Sequence, residues 1–369
     1  MKTALVILVF IHGLLHLLGF SKAFDLVPLP DLSINISRIN GYLWLTAAVL
    51  MISTALLYHF NKEWWWLPAI IALILSQYLI LLNWKDAKFG TVINVMLLLL
   101  ILVSIASSIF KLQYQTEVGQ QLKLQANQPV NILTQKDIQD LPAAIQNYLH
   151  YCGAVGQPKV THFKVEMSGQ LRKDALSAWM PVSSTQYNFI ETTSRFFFMK
   201  ARMKKLPVAG YHRFAGGKAT MDIRLFSLFK VQYNEGKEMN AAETVTFFND
   251  MCCMAPATLI DKRIQWLEAN DQTVKARFTS QGISVTATLY FAKNGALTNF
   301  SSPDRFAITP DNSLRRMPWS TPIRGYKFIN GFQLPAMAET IYNFPAEDLC
   351  YGSFLITNVT YNPHDLTAD

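Results

Sequence analysis

Two periods of hydrophobicity divide the chain. From Thr3 to Ser21, Ile39 to Asn61, Trp64 to Trp84 and Phe89 to Phe110 no charged residue interrupts the apolar runs. Each run comes near the roughly 20 residues a helix needs to cross about 30 Å of hydrocarbon. They predict four transmembrane helices over 4–24, 41–60, 64–84 and 90–110, with links short enough to make the last three antiparallel neighbours. Trp64, Trp65 and Trp66 would anchor the third at the head-group level. The polar stretch 112–133 reads as a connector, and 134–153 as a helix opened by Thr134 and Asp137 and stopped at Gly153.

Beyond that helix the period drops from 3.6 to 2. Strands are expected over 160–171, 185–190, 195–206, 217–234, 263–268, 273–279, 283–291, 297–301, 323–329, 338–343 and 353–361, with a helix over 241–254. The run Ile283, Val285, Ala287, Leu289, Phe291 against Ser284, Thr286, Thr288 is a clear alternation, and Asn294-Gly295 after it is a strong hairpin turn. The fold class is therefore α+β: a transmembrane bundle over 1–111, then a long antiparallel sheet over 134–369 with a few helices on one side.

Alternation also sorts the charge. Lys200, Arg202 and Lys204 stand on one parity and Phe197, Met199, Ala201 and Met203 on the other; Lys218, Asp222 and Arg224 then face away from Ala219, Met221, Ile223 and Leu225. Either this is the solvated face of a half-buried sheet, whose lysines also protect its edges, or it is a cationic surface held close to anionic lipid. Phe226, Phe229, Phe247 and Phe248 add an aromatic load that serves equally as core or as the wall of an apolar pocket.

Composition sharpens this in part. The chain is 51% hydrophobic and only 16% charged, against about a quarter charged in ordinary soluble domains. The net charge of +8 comes with no Lys/Arg run, zinc spacing or aromatic RNA-binding signature, so no nucleic-acid partner is expected. Near-membrane cations balance, Lys2, Lys62, Lys111 and Lys123 against Lys22, Arg38, Lys85 and Lys88, so charge does not orient the bundle. Ser21-Lys22-Ala23 would suit signal cleavage, whereas the length of the first run and its His12 and His16 favour retention. Cys152, Cys252, Cys253 and Cys350 form no C-x-x-C, and the apolar neighbours in "NDMCCMAP" favour buried free thiols there.

Motifs for catalysis are missing. There is no G-x-S-x-G or H-E-x-x-H, and "AGGKAT" lacks the first glycine and the final hydroxyl of a phosphate loop. No enzyme is expected. His12 and His16, four apart on one helix face, would suit a metal or haem; without further ligands they are expected instead to hydrogen-bond neighbouring helices, as are Gln77, Asn83 and Asn94. No cofactor is expected.

The segments "FIHGLLHLLGFSKAF", "WKDAKFGTVIN", "LPAAIQNYL", "KARMKKLPVAGYHRF", "ETVTFFNDMCCMAPATLIDKRIQW" and "YFAKNGALTNFSSPDRF" together resemble an uncharacterised bacterial membrane family, catalogued as a domain of unknown function. The β-rich half also resembles the lipoprotein-carrier (LolA-like) fold. That resemblance implies a curved half-barrel sheet cradling a hydrophobic ligand, placed outside the cytoplasm of a bacterial cell. The expected function is binding of a lipid in a pocket or core containing Phe197, Met199, Met203, Met221, Phe226, Phe229, Phe247 and Phe248. Lys200, Arg202, Lys204, Lys218 and Arg224 would meet its head group. The alternatives are a protein-interaction module with a solid core and a basic docking face, and a membrane enzyme or metal protein using His12 and His16.

Overall fold

A computed structural model describes residues 2–30, 32–125, 131–308 and 313–366. Contacts divide it into two units, Met1–Ile109 and Phe110–Asp369. The first holds α1 (Lys2–Ala23), α2 (Arg38–His59), α3 (Trp66–Leu82), the short α4 (Trp84–Ala87) and the start of α5 (Gly90–Gln125). Close approach of α1 to α2 depends on glycine: a Cβ on Gly19 would stand 2.4 Å from the Trp44 ring.

Three of the four expected spans, α1, α2 and α5, are long and apolar enough to cross a membrane; α3 is shorter, at 17 residues. It is cut at both ends. Trp64 and Trp65 lie in the turn before it, and Asn83 ends it by donating its side-chain amide at 2.9 Å to the Leu79 carbonyl that its own N–H also reaches, a local bond that competes with the helix ladder.

The expected connector is a helix. Instead of ending near Phe110, α5 runs on to Gln125, and the rest of the connector, residues 126–130, lies outside the described residues. Phe110, Tyr114, Val118 and Leu122 recur every four residues and are buried with Tyr187, Phe189, Phe196, Phe198, Ala209 and Tyr211. That stripe on one face of a polar sequence is what makes it helical here. After it come α6 (Gln135–Ile138), with the expected Thr134–Asp137 capping box, and α7 (Ala143–Tyr151). Pro142 divides what reads as one helix, because its ring has no N–H to continue the ladder.

The second unit is organised by one sheet. Its strands are β1 (His162–Leu171), β2 (Met180–Phe189), β3 (Ser194–Met203), β4 (Leu206–Ala215), β5 (Lys218–Leu225) and β6 (Phe229–Glu235). After α8 (Lys237–Met254) and a 3₁₀ turn at Pro256–Ile260 come β7 (Ile264–Ala269), β8 (Thr273–Ser280), β9 (Ile283–Phe291) and β10 (Leu297–Ile308), then β11 (Leu314–Ile329), β12 (Phe332–Asn343) and β13 (Asp348–Tyr361). All pair antiparallel in the order β6-β5-β4-β3-β2-β1-β13-β12-β11-β10-β9-β8-β7, curling into a half-barrel.

Two expected strands are hairpins. The segment 195–206 turns at Lys204-Lys205 into β4, and 217–234 turns at Phe226-Ser227 into β6. Helices also cover both faces rather than one. In β3, Phe197, Met199 and Ala201 pack with Phe247, Phe248 and Met251 of α8, while Phe196 and Phe198 of the opposite parity pack beneath α5.

Candidate ligand-binding recess

Directly paired residues in an antiparallel sheet share a face, so the ladder maps the hollow that α8 occupies. One row runs Leu225, Val208, Ala201, Val182, Gly169, Phe354, Ala338, Ile323 across eight strands. The next runs Ile223, Gly210, Met199, Ser184, Met167, Ile356. Both rows are apolar apart from Ser184, and small residues deepen them. Helix α8 covers the neighbouring floor, yet Leu225, Ile223, Phe354, Ala338 and Ile323 stay half-open, as do Leu171, Met180 and Met221. These positions remain partly open to solvent.

Its polar end is built around α8. Arg195 of β3 donates to Asp250 at 2.8 Å, to Glu243 at 3.1 Å and to Gln186 at 2.7 Å. Gln186 and Asn188 also donate to Asp250, at 2.7 and 3.0 Å. Glu243 and Asp250, two helical turns apart, therefore project from one side of α8 onto the floor of the hollow. From the other wall Arg305 comes within 3.7 Å of Glu243, with its guanidinium 5.4 Å from the centre of the Trp319 ring. Trp319 donates to the Tyr351 hydroxyl at 3.1 Å, and Tyr351 stacks on Tyr342.

Burial sets the charge states. For Glu243, burial alone would raise the carboxyl, but Arg195 and Arg305 outweigh it and hold the group below the usual range. Burial raises Asp250 despite the opposing Arg195 and Asn188. Chiefly through burial, the His212 imidazole is lowered to about 4, with Glu243 opposing and Arg195 and Arg305 adding to the shift. His212 is therefore neutral at pH 7. Arg305 stays cationic: burial works against its charge, and Tyr342, Tyr351 and Glu243 overcome that.

The cluster is incomplete. Ten buried side-chain N or O atoms among the described residues have no hydrogen-bond partner; His212 Nε2, Arg305 Nε, Ser184 Oγ, Thr321 Oγ1 and Thr340 Oγ1 are five of them. Register puts all five on the side of the sheet that lines the hollow: His212 opposite Phe197, Ser184 opposite Met199, Thr321 opposite Phe300, Thr340 opposite Gly352, and Arg305 beyond Ser302 on the wall next to α8. Each such group costs about 1–3 kcal/mol if left unpaired. All five belong to the face of the sheet that α8 covers.

The residues expected at the site are distributed otherwise. Phe197, Met199, Phe247 and Phe248 are buried core, and Met221 and Phe226 are half-buried, but Met203 and Phe229 are exposed at hairpin tips. Lys200, Arg202, Lys204 and Lys218 are exposed and, by parity with Phe198 under α5, stand on the outer face, away from the hollow. Arg224 is not a free cation: it donates to Asp222 at 2.7 Å and lies 4.2 Å from the Phe110 ring centre. The expected head-group cations therefore do not meet the hollow; Arg195 and Arg305 do. Reading the sequence missed them because their partners come from β2, α8 and β13, and no local spacing joins these.

His12 and His16 lie in the helical unit and are buried. His16 Nδ1 donates to the His12 carbonyl at 2.7 Å, so its Nε2 accepts from the Ser76 hydroxyl at 2.8 Å. Ser76 in turn accepts from the Asn94 amide at 3.0 Å, and His12 Nε2 donates to the Asn94 carbonyl oxygen at 3.1 Å. Both nitrogens of His16 are engaged, and no group of three His, Cys, Asp or Glu positioned for a metal occurs among the described residues. A cavity of about 230 Å³ adjoins the pair, lined also by Trp44, Asn83, Asp86 and Gly90.

Apolar N-terminal helices followed by a curled antiparallel sheet with a helix in its hollow define the class of protein. More particularly, the model of a family of unknown function, DUF6544, matches residues 131–354, more than half of the sequence, and the chain belongs to that family. No curated protein sequence matches it. Among solved structures, it is similar to the LolA superfamily protein NE2245 from Nitrosomonas europaea, at 7% identity and a TM-score of 0.29 over 59% of this chain and 92% of that one. A DUF1329 family protein from Desulfovibrio piger is similar at 10% identity and a TM-score of 0.33, over 55% and 86%. At such scores the description of the sheet rests on its own hydrogen-bond ladder.

Proposed function

We propose that the protein is a membrane-anchored carrier or sensor that holds one amphiphile in the hollow of its sheet. The acyl part lies along the two apolar rows, and a polar or anionic end meets Arg305 and His212 beside Glu243. The N-terminal helices supply the anchor. One observation carries the reading: Leu225, Ile223, Phe354, Ala338 and Ile323 leave two apolar rows of the sheet half-open beside α8. A solid-cored interaction module would be expected to cover such rows, since contiguous open apolar surface marks a binding site.

Titration of the full-length protein in detergent with a fluorescent fatty acid tests the proposal. Saturable one-to-one binding is expected. Ile223→Trp, which fills the second row, should abolish it, and Arg305→Leu should weaken it by about 10- to 100-fold, the worth of a charged hydrogen bond. Binding unaffected by Ile223→Trp would refute the assignment of the hollow.

A further inference from the structure

We infer that the β3–β4 and β5–β6 hairpin tips form a second lipid contact, inserting apolar side chains into the surface of an anionic bilayer. The tips are neighbours, because Phe226 N–H donates to the Pro207 carbonyl at 2.9 Å. All six residues of "RMKKLP", Arg202 to Pro207, are exposed. Across from them Phe229 is 63% exposed and Val231 51%, with Leu228 and Met203 each at 43%. Large side chains so open at turns gain nothing in water, and clustered exposure of this kind marks an interaction surface.

Charge selects the occupant. Lys200, Arg202, Lys204, Lys205 and Lys230 surround these apolar residues, and Asp222, already held by Arg224, is the one acid between Arg195 and Asn234. Apolar tips ringed by cations complement an anionic lipid surface, where basic residues are attracted to the head groups and apolar ones enter the acyl boundary.

The backbone is unusual here too. Lys204 and Lys205 have φ of 49° and 71°, Phe226 and Ser227 of 55° and 56°. Such left-handed positions in tight hairpin turns ordinarily take Asn or Gly. Here they carry two lysines at one tip and a phenylalanine at the other, side chains that serve the surface and not the turn.

Position agrees. The α5 segment of the second unit runs from Phe110, packed against Arg224 at the end of β5, to Gln121, which accepts from Thr192 at the opposite end of β3. Both tips thus lie at the Phe110 end, and Phe110 closes the last apolar run of the sequence.

The contact does not depend on a guest in the hollow. Its test uses the full chain, in a Cys350→Ser background, reconstituted in vesicles of phosphatidylcholine with or without phosphatidylglycerol. A polarity-sensitive dye is placed at Phe229→Cys, at Gln281→Cys on the exposed β8–β9 turn, and at Leu14→Cys on α1. Doxyl lipids should quench Leu14 in both vesicles. They should quench Phe229 at least about twofold with phosphatidylglycerol, as burial at the acyl boundary implies, and leave Gln281 bright. Lys204→Glu with Lys205→Glu and Lys230→Glu should abolish quenching at Phe229 alone. Quenched Leu14 with bright Phe229 overturns the inference and leaves the anchor standing. Bright dye at both overturns both, and equal quenching at Phe229 and Gln281 also sinks it.

Discussion

The molecule holds two buried polar clusters, and they are opposites. In the helical unit, His12, His16, Ser76 and Asn94 form a network in which each proton named has an acceptor. In the sheet unit, Arg195, Arg305, Glu243 and Asp250 are tied by ion pairs, yet Nε2 of the neighbouring His212 and Arg305 Nε have no partner. A satisfied network fixes how helices pack. In the proposed reading, the unsatisfied one beside half-open apolar rows is where the polar end of the guest would bond.

Removing Arg195 should produce the largest break. Arg195→Ala leaves Glu243 and Asp250 buried without their main counter-charge, and stability should fall by about 3–5 kcal/mol in denaturant unfolding of the full chain. A loss under about 1 kcal/mol would mean that the cluster is open to water.

Acid should act next. His212 takes a proton near 6.5 when unfolded but only near pH 4 when folded. Between these values the unfolded chain binds more protons, so this contribution is intact above pH 6.5 and disappears as pH falls to about 4. It should amount to on the order of 2–3 kcal/mol. His212→Gln should flatten that part of the stability–pH curve, and an unchanged slope would show that His212 is solvated.

The satisfied network should respond less. Ser76→Ala removes one donor and one acceptor, and intramembrane hydrogen bonds of this kind average about 0.6 kcal/mol, so a loss near 1 kcal/mol is expected with no effect on fatty-acid binding. Lys218→Ala on the outer face should be smallest, within about 0.5 kcal/mol, again with binding intact. A Lys218 variant that loses ligand would return the head group to the outer cations.

Much of the architecture is legible in the sequence where local chemistry is decisive. Charge-free runs mark α1, α2 and α5; Ile283–Phe291 alternates as β9 does; Asn294-Gly295 turns where Gly295 has φ of 87°. The two missed hairpins lack such chemistry, since Lys204-Lys205 and Phe226-Ser227 adopt left-handed backbone without Gly or Asn. The extension of α5 was hidden because Phe110, Tyr114, Val118 and Leu122 are sparse apolar positions in a Gln-rich stretch. Their meaning appears only with the sheet beneath them. The recess is less legible still: Arg195, His212, Glu243 and Arg305 come from β3, β4, α8 and β10, and only the fold joins them.

Those two hairpins also lie at the end of the hollow where Ala201, Val208 and Leu225 form the last row paired across three strands. A guest would enter or leave the apolar rows beside the tips assigned to the bilayer surface, and a carrier or sensor of lipid needs that adjacency.

Native mass spectrometry of the full-length protein released from detergent tests the central claim most directly. Wild type should carry one amphiphile-sized adduct, and Ile223→Trp should carry none while remaining folded. A bare wild-type chain, or an adduct equally retained by Ile223→Trp, would contradict the account.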